Sequence, residues 1–234
     1  MKKTGHLPRR RTAFTLIELI VVIAIIGLLA AMIIPIAGAV TRQKQIKTAQ
    51  TQLAALQLAI DSYKTKLGYY PPDNTNNPAI NQLYFELLGT TNNGAGTAKP
   101  PDTWVTLDGS AQIGLTTTPN ISGTFGVSAI ANSSTRTHSD DSGAAATSFL
   151  NNLTPNQIGV IDANGQIKVL VCSVTWPNNF APVLPAPALP TLNPWRYMST
   201  HPTNNTGSYD LWVDLVISGK TNRVCNWSTQ PIKL

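Results

Sequence analysis

The chain has 234 residues and a formal charge of +6, yet only 12% of it is charged, about half the usual quarter. Five of its basic residues, Lys2, Lys3, Arg9, Arg10 and Arg11, precede the first acid, Glu18, so the cations beyond them nearly balance the acids. That distribution excludes a phosphate-binding stripe over the body of the chain, and nucleic acid is not an expected partner.

Residues 1–13 read as a basic leader. From Leu19 to Val40 the sequence LIVVIAIIGLLAAMIIPIAGAV carries no charge. Twenty-two residues rise about 33 Å as a helix, enough to cross a hydrocarbon core of ~30 Å. The cations lie before the run, which keeps the N-terminus cytoplasmic and sends the rest across. A secretory signal peptide would have a shorter apolar core, followed by a small-residue cleavage site. Here the run is long and a second helical pattern continues from it. Residues 14–40 are therefore expected as a membrane-spanning half-helix. Glu18 stands out, because a carboxylate within such a segment costs ~2.5–3.5 kcal/mol. It is either a snorkelling acid at the cytoplasmic edge or a group that seeks a cation from another chain.

The residues Arg9-Arg10-Arg11-Thr12-Ala13, followed by Phe14-Thr15-Leu16-Ile17-Glu18-Leu19-Ile20, closely resemble the N-terminal motif of type IV prepilins and type II secretion pseudopilins. The resemblance implies that a membrane-embedded prepilin peptidase cuts between Ala13 and Phe14 and methylates the new amine of Phe14. It implies that this amine, in a filament, neutralises Glu18 of a neighbouring subunit. The family usually has Gly before the cut, and Ala13 departs from that while keeping the site small. Gly27 and Pro35 fall where the family places helix-weakening residues. The implied location is the bacterial inner membrane, single-pass, with the head in the periplasm. The implied partners are the peptidase, copies of the chain and other pseudopilins or pilins, an inner-membrane assembly platform and membrane lipid.

Residues 41–67 continue the helix. Ile46, Ala49, Leu53, Leu56, Ile60, Tyr63 and Leu67 recur at alternating steps of three and four, one stripe along a helix. Gly68 stops it and Pro71-Pro72 prevent resumption. Packing on the chain's own head is the expected use of the stripe.

Residues 68–234 are expected to form the globular head. Leu53–Pro72 resembles the helix exit of the major pseudopilin of type II secretion. A second block resembles that family's C-terminal pattern: Asn193-Pro194-Trp195-Arg196-Tyr197, Tyr209-Asp210-Leu211-Trp212, Gly219-Lys220 and Asn226-Trp227. Strands can be read without it. Gln157–Ala163 and Gln166–Cys172 flank Asn164-Gly165, a two-residue hairpin signal. Tyr209, Leu211, Val213, Leu215 and Ile217 alternate with Asp210, Trp212 and Asp214, with Ser218–Asn222 as a turn and Arg223–Trp227 returning. The aromatic set Tyr69, Tyr70, Trp195, Tyr197, Trp212 and Trp227 is expected to pack together. Residues 90–147 form a polar insert, read as loops or short strands on the exterior. Pro182–Pro194 is Pro-rich and read as extended. The expected class is α+β: a pilin-like fold in which a long N-terminal helix packs on a small antiparallel sheet.

Candidate chemistry is sparse. Cys172 and Cys225 form no CxxC. In an oxidising compartment they are a candidate disulfide, worth ~4 kcal/mol on the chain-entropy model; the alternative is two buried small hydrophobes. The family's major pseudopilin often binds calcium through an acidic C-terminal loop. Here the corresponding Ser218–Cys225 stretch has no carboxylate, so no metal is expected there. His6, His138 and His201 are scattered, Asp140-Asp141 reads as a solvated pair, and no hydrolase, zincin or nucleotide motif is present. The expectation is a filament subunit that needs no cofactor and is an enzyme's substrate rather than an enzyme. Two uses remain open: a type II secretion pseudopilus, or a pilin or minor pilin acting in adhesion, motility or DNA uptake through its insert.

Overall fold

The computed structural model describes residues 15–93, 103–115, 119–135 and 145–234; for 32–37, 39 and 135 it describes the backbone alone. The described chain forms two units, one ending at Lys44 and the other running from Gln45 to Leu234.

Helix α1, Leu16–Leu67, has 52 residues and enters both units. In the first unit the described side chains from Leu16 to Ala31 are all exposed, and Leu, Ile and Val occupy every face of the helix there. The backbone stays helical through Gly27 and Pro35. Among the described residues no helix is both long and apolar enough to cross a membrane.

In the second unit the stripe read from sequence is buried in order. Ile46, Ala49, Leu53, Leu56, Ile60 and Tyr63 lie in the core and Leu67 packs on its edge. Gly68 ends the helix at a positive φ of 88°, its N–H bonded to the Lys64 carbonyl at 2.9 Å. Only a residue without a side-chain penalty there turns the chain this cheaply. A short helix α2, Leu83–Leu88, follows, and all six of its residues are buried.

The insert is more ordered than its composition suggests. It contributes strands β1 (Thr90–Asn92), β2 (Thr103–Thr106) and β3 (Gln112–Gly114), helix α3 (Ile121–Phe125) and strand β4 (Ser133–Thr135). The strands make one sheet in the order β3-β2-β1-β4, antiparallel except for the β1–β4 pair. Of its large apolar residues, Trp104, Ile113, Ile121 and Phe125 are buried, whereas Leu107 and Leu115 are exposed. Phe125 meets Phe85 of α2 edge-on at 5.8 Å. The described part of the insert thus takes the short-strand form of the two read from the sequence, and a handful of buried anchors holds it to the core.

Strands β5 (Ile158–Val160) and β6 (Lys168–Leu170) form the expected hairpin, antiparallel with Ile158 opposite Leu170. The turn is longer than two residues. The Asp162 carboxylate accepts the N–H groups of Asn164 at 3.1 Å and Ile167 at 2.7 Å, and so organises a wider loop. The Pro-rich segment is not extended. It folds through successive turns, with Leu184 and Ala188 buried as anchors.

The main sheet joins β7 (Arg196–Met198), β8 (Asp210–Ile217), β9 (Lys220–Cys225) and β10 (Ile232–Lys233) in the order β10-β9-β8-β7, antiparallel throughout. Tyr209, Leu211, Val213, Leu215 and Ile217 face the core as their alternation requires. The β8–β9 turn is tighter than expected. Ser218 and Gly219 alone make it, both at positive φ, the primed-turn geometry that matches strand twist. The whole is a pilin-like α+β arrangement with two sheets and a hairpin in place of one small sheet.

Candidate assembly site

The described chain opens on a reciprocal cap. Thr15 donates its N–H and its hydroxyl to the Glu18 carboxylate, both at 2.8 Å, and the Glu18 N–H points back at the Thr15 hydroxyl at 3.4 Å. This is a Thr-x-x-Glu capping box. It places the acid in the first helical turn, where the helix dipole favours negative charge. The sequence stretch displays the Thr-x-x-Glu spacing openly, yet neither reading of Glu18, as a snorkelling acid or as a seeker of an outside cation, includes this local partner. Ala13 and Phe14 lie outside the described residues. A side chain at Gly27 would meet nothing within 4 Å, so this position is open along the helix.

The described acids of the head are met by donors of the chain itself. Glu86 on α2 is fully buried, and among the described residues no cation pairs with it. Its carboxylate accepts the Tyr63 hydroxyl at 2.9 Å and the N–H groups of Ala131 and Asn132 at 2.8 and 2.9 Å. Burial pushes this carboxyl above its usual range, against the pull of those donors. The Asn132 amide donates to the carbonyls of Glu86 and Thr147, both at 2.7 Å, and accepts the Thr147 N–H at 3.0 Å. One acid and one amide thus tie α1, α2, the 131–132 segment and the far end of the insert together. Asp210 accepts the N–H groups of Thr203, Asn204 and Asn205 at 2.8–2.9 Å. Burial works to raise its carboxyl, and these donors with the Asn204 amide outweigh it, holding it below the usual range.

Asp214 is taken by two guanidiniums. Arg223 grips it bidentately at 2.7 and 3.0 Å, and Arg196 stands 3.8 Å away. Arg223 also lies 5.6 Å over the Trp212 ring, and Trp212 meets Trp227 edge-on at 5.8 Å. A carboxylate so neutralised, beside a two-residue turn with no acid, offers no cation site. Among the described residues no group of three His, Cys, Asp or Glu side chains is placed to hold a metal ion.

Residues 8–34 match the family model described as the prokaryotic N-terminal methylation motif. The chain carries a prepilin-type N-terminus. It is 36% identical over 63 residues to the type II secretion system core protein G of Pseudomonas aeruginosa, and 41% identical over 64 residues to that of Vibrio cholerae. The corresponding protein of Aeromonas hydrophila is 36% identical over 63 residues. Each match covers 27% of this chain and 43–44% of the relative, less than half the length of the curated relatives. No solved structure gives a significant match. The Thr15–Glu18 box falls inside the prepilin-type motif, as do Gly27 and the first part of the apolar run.

The remaining sequence candidates are dispersed. Cys172 and Cys225 are both buried and both free. Cys172 follows β6 and Cys225 ends β9, so they belong to different strand systems, and each packs as a small hydrophobe. Burial pushes the Cys172 thiol up to about 11, which leaves it protonated and unreactive at neutral pH. His201 is exposed; His6, His138, Asp140 and Asp141 lie outside the described residues. The expected aromatic set divides: Trp195 and Tyr197 are in the core, Trp212 and Trp227 pair beside Arg223, and Tyr69 is largely exposed.

Proposed function

We propose that this chain is a structural filament subunit of the pseudopilin type. It is cut between Ala13 and Phe14 by a prepilin peptidase, methylated at Phe14, and assembled into a type II secretion pseudopilus for protein export. The observation that carries this reading is the prokaryotic N-terminal methylation motif over residues 8–34, with the Thr15–Glu18 box at the start of α1. The similarity to three core G proteins supports the choice of secretion system.

The uncharged run from Leu19 to Val40 spans the inner membrane, N-terminus in the cytoplasm, and the head lies in the periplasm. Before assembly, Thr15 occupies the Glu18 carboxylate. In the filament, the Phe14 amine of a neighbouring copy takes its place, exchanging a neutral donor for a cation at membrane depth. Gly27 and Pro35 loosen the helix for that packing. The chain is not an enzyme; it works with the peptidase, an inner-membrane platform, lipid, its own copies and other pseudopilins. The test is Glu18→Ala in a cell carrying the secretion machine. Membrane insertion is expected to persist while filament assembly fails, and normal short envelope-bound filaments from this variant would overturn the reading.

A further inference from the structure

The second unit contains a cleft of about 580 Å³ between the α1 flank and the C-terminal segment after β9. None of its lining residues carries a charge. They include Gln50 and Gln57 of α1, Asn205, Trp227, Thr229 and Gln230. Most of their hydrogen-bonding capacity is unspent. Gln50 uses its amide nitrogen on the Thr229 carbonyl at 3.3 Å, and Asn205 uses its own on the Tyr209 carbonyl at 3.1 Å, leaving both amide oxygens. Among the described residues the side chains of Gln57, Thr229 and Gln230 make no hydrogen bond.

The aromatic wall is backed from behind. Trp227 is half-buried and meets Trp212 edge-on, while Trp212 is held by Arg223, itself fixed on Asp214. Trp227 is only partly buried and lines the cleft, so part of its indole is open there.

We infer that this cleft binds a neutral saccharide. An indole face accepts the C–H surface of a pyranose ring, and planar amides offer paired donors and acceptors matched to vicinal hydroxyls. The absence of charge disfavours phosphorylated, uronic or unacetylated amino-sugar ligands, whose charges would be costly to bury beside neutral groups. The rigid Arg223–Trp212–Trp227 stack reduces the ordering cost of binding. This inference does not depend on the assembly reading, since it uses only the second unit.

The test uses the full chain in lipid nanodiscs free of sugar detergents, titrated with tetrasaccharides of glucose and of N-acetylglucosamine. Tryptophan fluorescence and calorimetry read the binding. Saturable binding with a dissociation constant of about 1 mM or tighter is expected. Trp227→Ala, and separately the double variant Gln57→Ala/Gln230→Ala, weaken it about tenfold or more, while Trp176→Ala, which does not line the cleft, leaves it unchanged. The glutamine pair is exposed enough to leave the fold intact, which the thermal midpoint checks. No saturable binding of either sugar, binding unchanged in both cleft variants, or a cleft found filled by a second copy of the chain or a peptide would each overturn the inference.

Discussion

Replacing Glu86 by Ala tests how the head is held together. The change removes one carboxylate and strands three donors in the core: the Tyr63 hydroxyl and the N–H groups of Ala131 and Asn132. A hydrogen bond to a charged group contributes about 1.5–3 kcal/mol, and water entering the vacated space restores part of the loss, so the expected cost is ~3–5 kcal/mol. For a unit of this size that corresponds to a fall of about 10 °C in Tm. Glu86→Gln keeps the volume and one acceptor oxygen but sets its NH2 among donors, and should cost about half as much. Urea or thermal unfolding of the full chain in nanodiscs reads both. A loss below about 1 kcal/mol in Glu86→Ala, or equal losses in the two variants, would refute the claim that this carboxylate is the anchor of the insert. The pH dependence has a definite sign. Because burial raises the folded carboxyl above its ordinary value of about 4.5, the folded state holds a proton that the unfolded state has released between the two. Glu86 therefore makes stability fall as pH rises from about 4.5 through its raised folded value, and Glu86→Gln should lack that component.

Three further predictions follow from the same geometry. Gly89→Ala should destabilise the head by about 1–3 kcal/mol, since φ is +73° and a Cβ would lie 2.9 Å from the Thr147 carbonyl oxygen; urea midpoints check it. Asp210→Ala should cost about 2 kcal/mol and loosen the 203–205 loop, read by hydrogen exchange at those amides. Its lowered carboxyl contributes stability that is present above pH 3.8 and lost as pH falls through the folded value, opposite in sign to Glu86. Thiol reductant should leave Tm unchanged, because Cys172 and Cys225 are free; a clear fall would instead reveal a bond between them.

Helix α1 was legible because its signals are local and repeated, whereas the short α2 and α3 carry no such repeat and were not read. The stripe from Ile46 to Tyr63 and the stop at Gly68 need only periodicity and one backbone preference. Strand β8 announced itself by alternation for the same reason. The insert did not, because its fold depends on long-range seams. Asn132 meets Glu86 across 46 residues, and nothing near either residue marks the partnership. The turn lengths were misread where a side chain overrode the dipeptide signal, as Asp162 does at Asn164-Gly165. At the N-terminus the motif identified Glu18 as the residue to watch, but its local partner Thr15 was hidden by attention to a distant one. The neutral cleft was illegible for a different reason. Its residues come from the middle of α1, the loop before β8 and the last segment, and only the fold assembles them.

The central claim is that the chain enters a filament through a processed N-terminus. Intact-mass analysis and N-terminal sequencing of the chain, recovered from membranes of cells with and without prepilin peptidase, test it most directly. With the peptidase, the account predicts a chain beginning at N-methylated Phe14; without it, the leader through Ala13 is retained. An uncleaved chain in both strains, or cleavage after the apolar run near Val40, would contradict it.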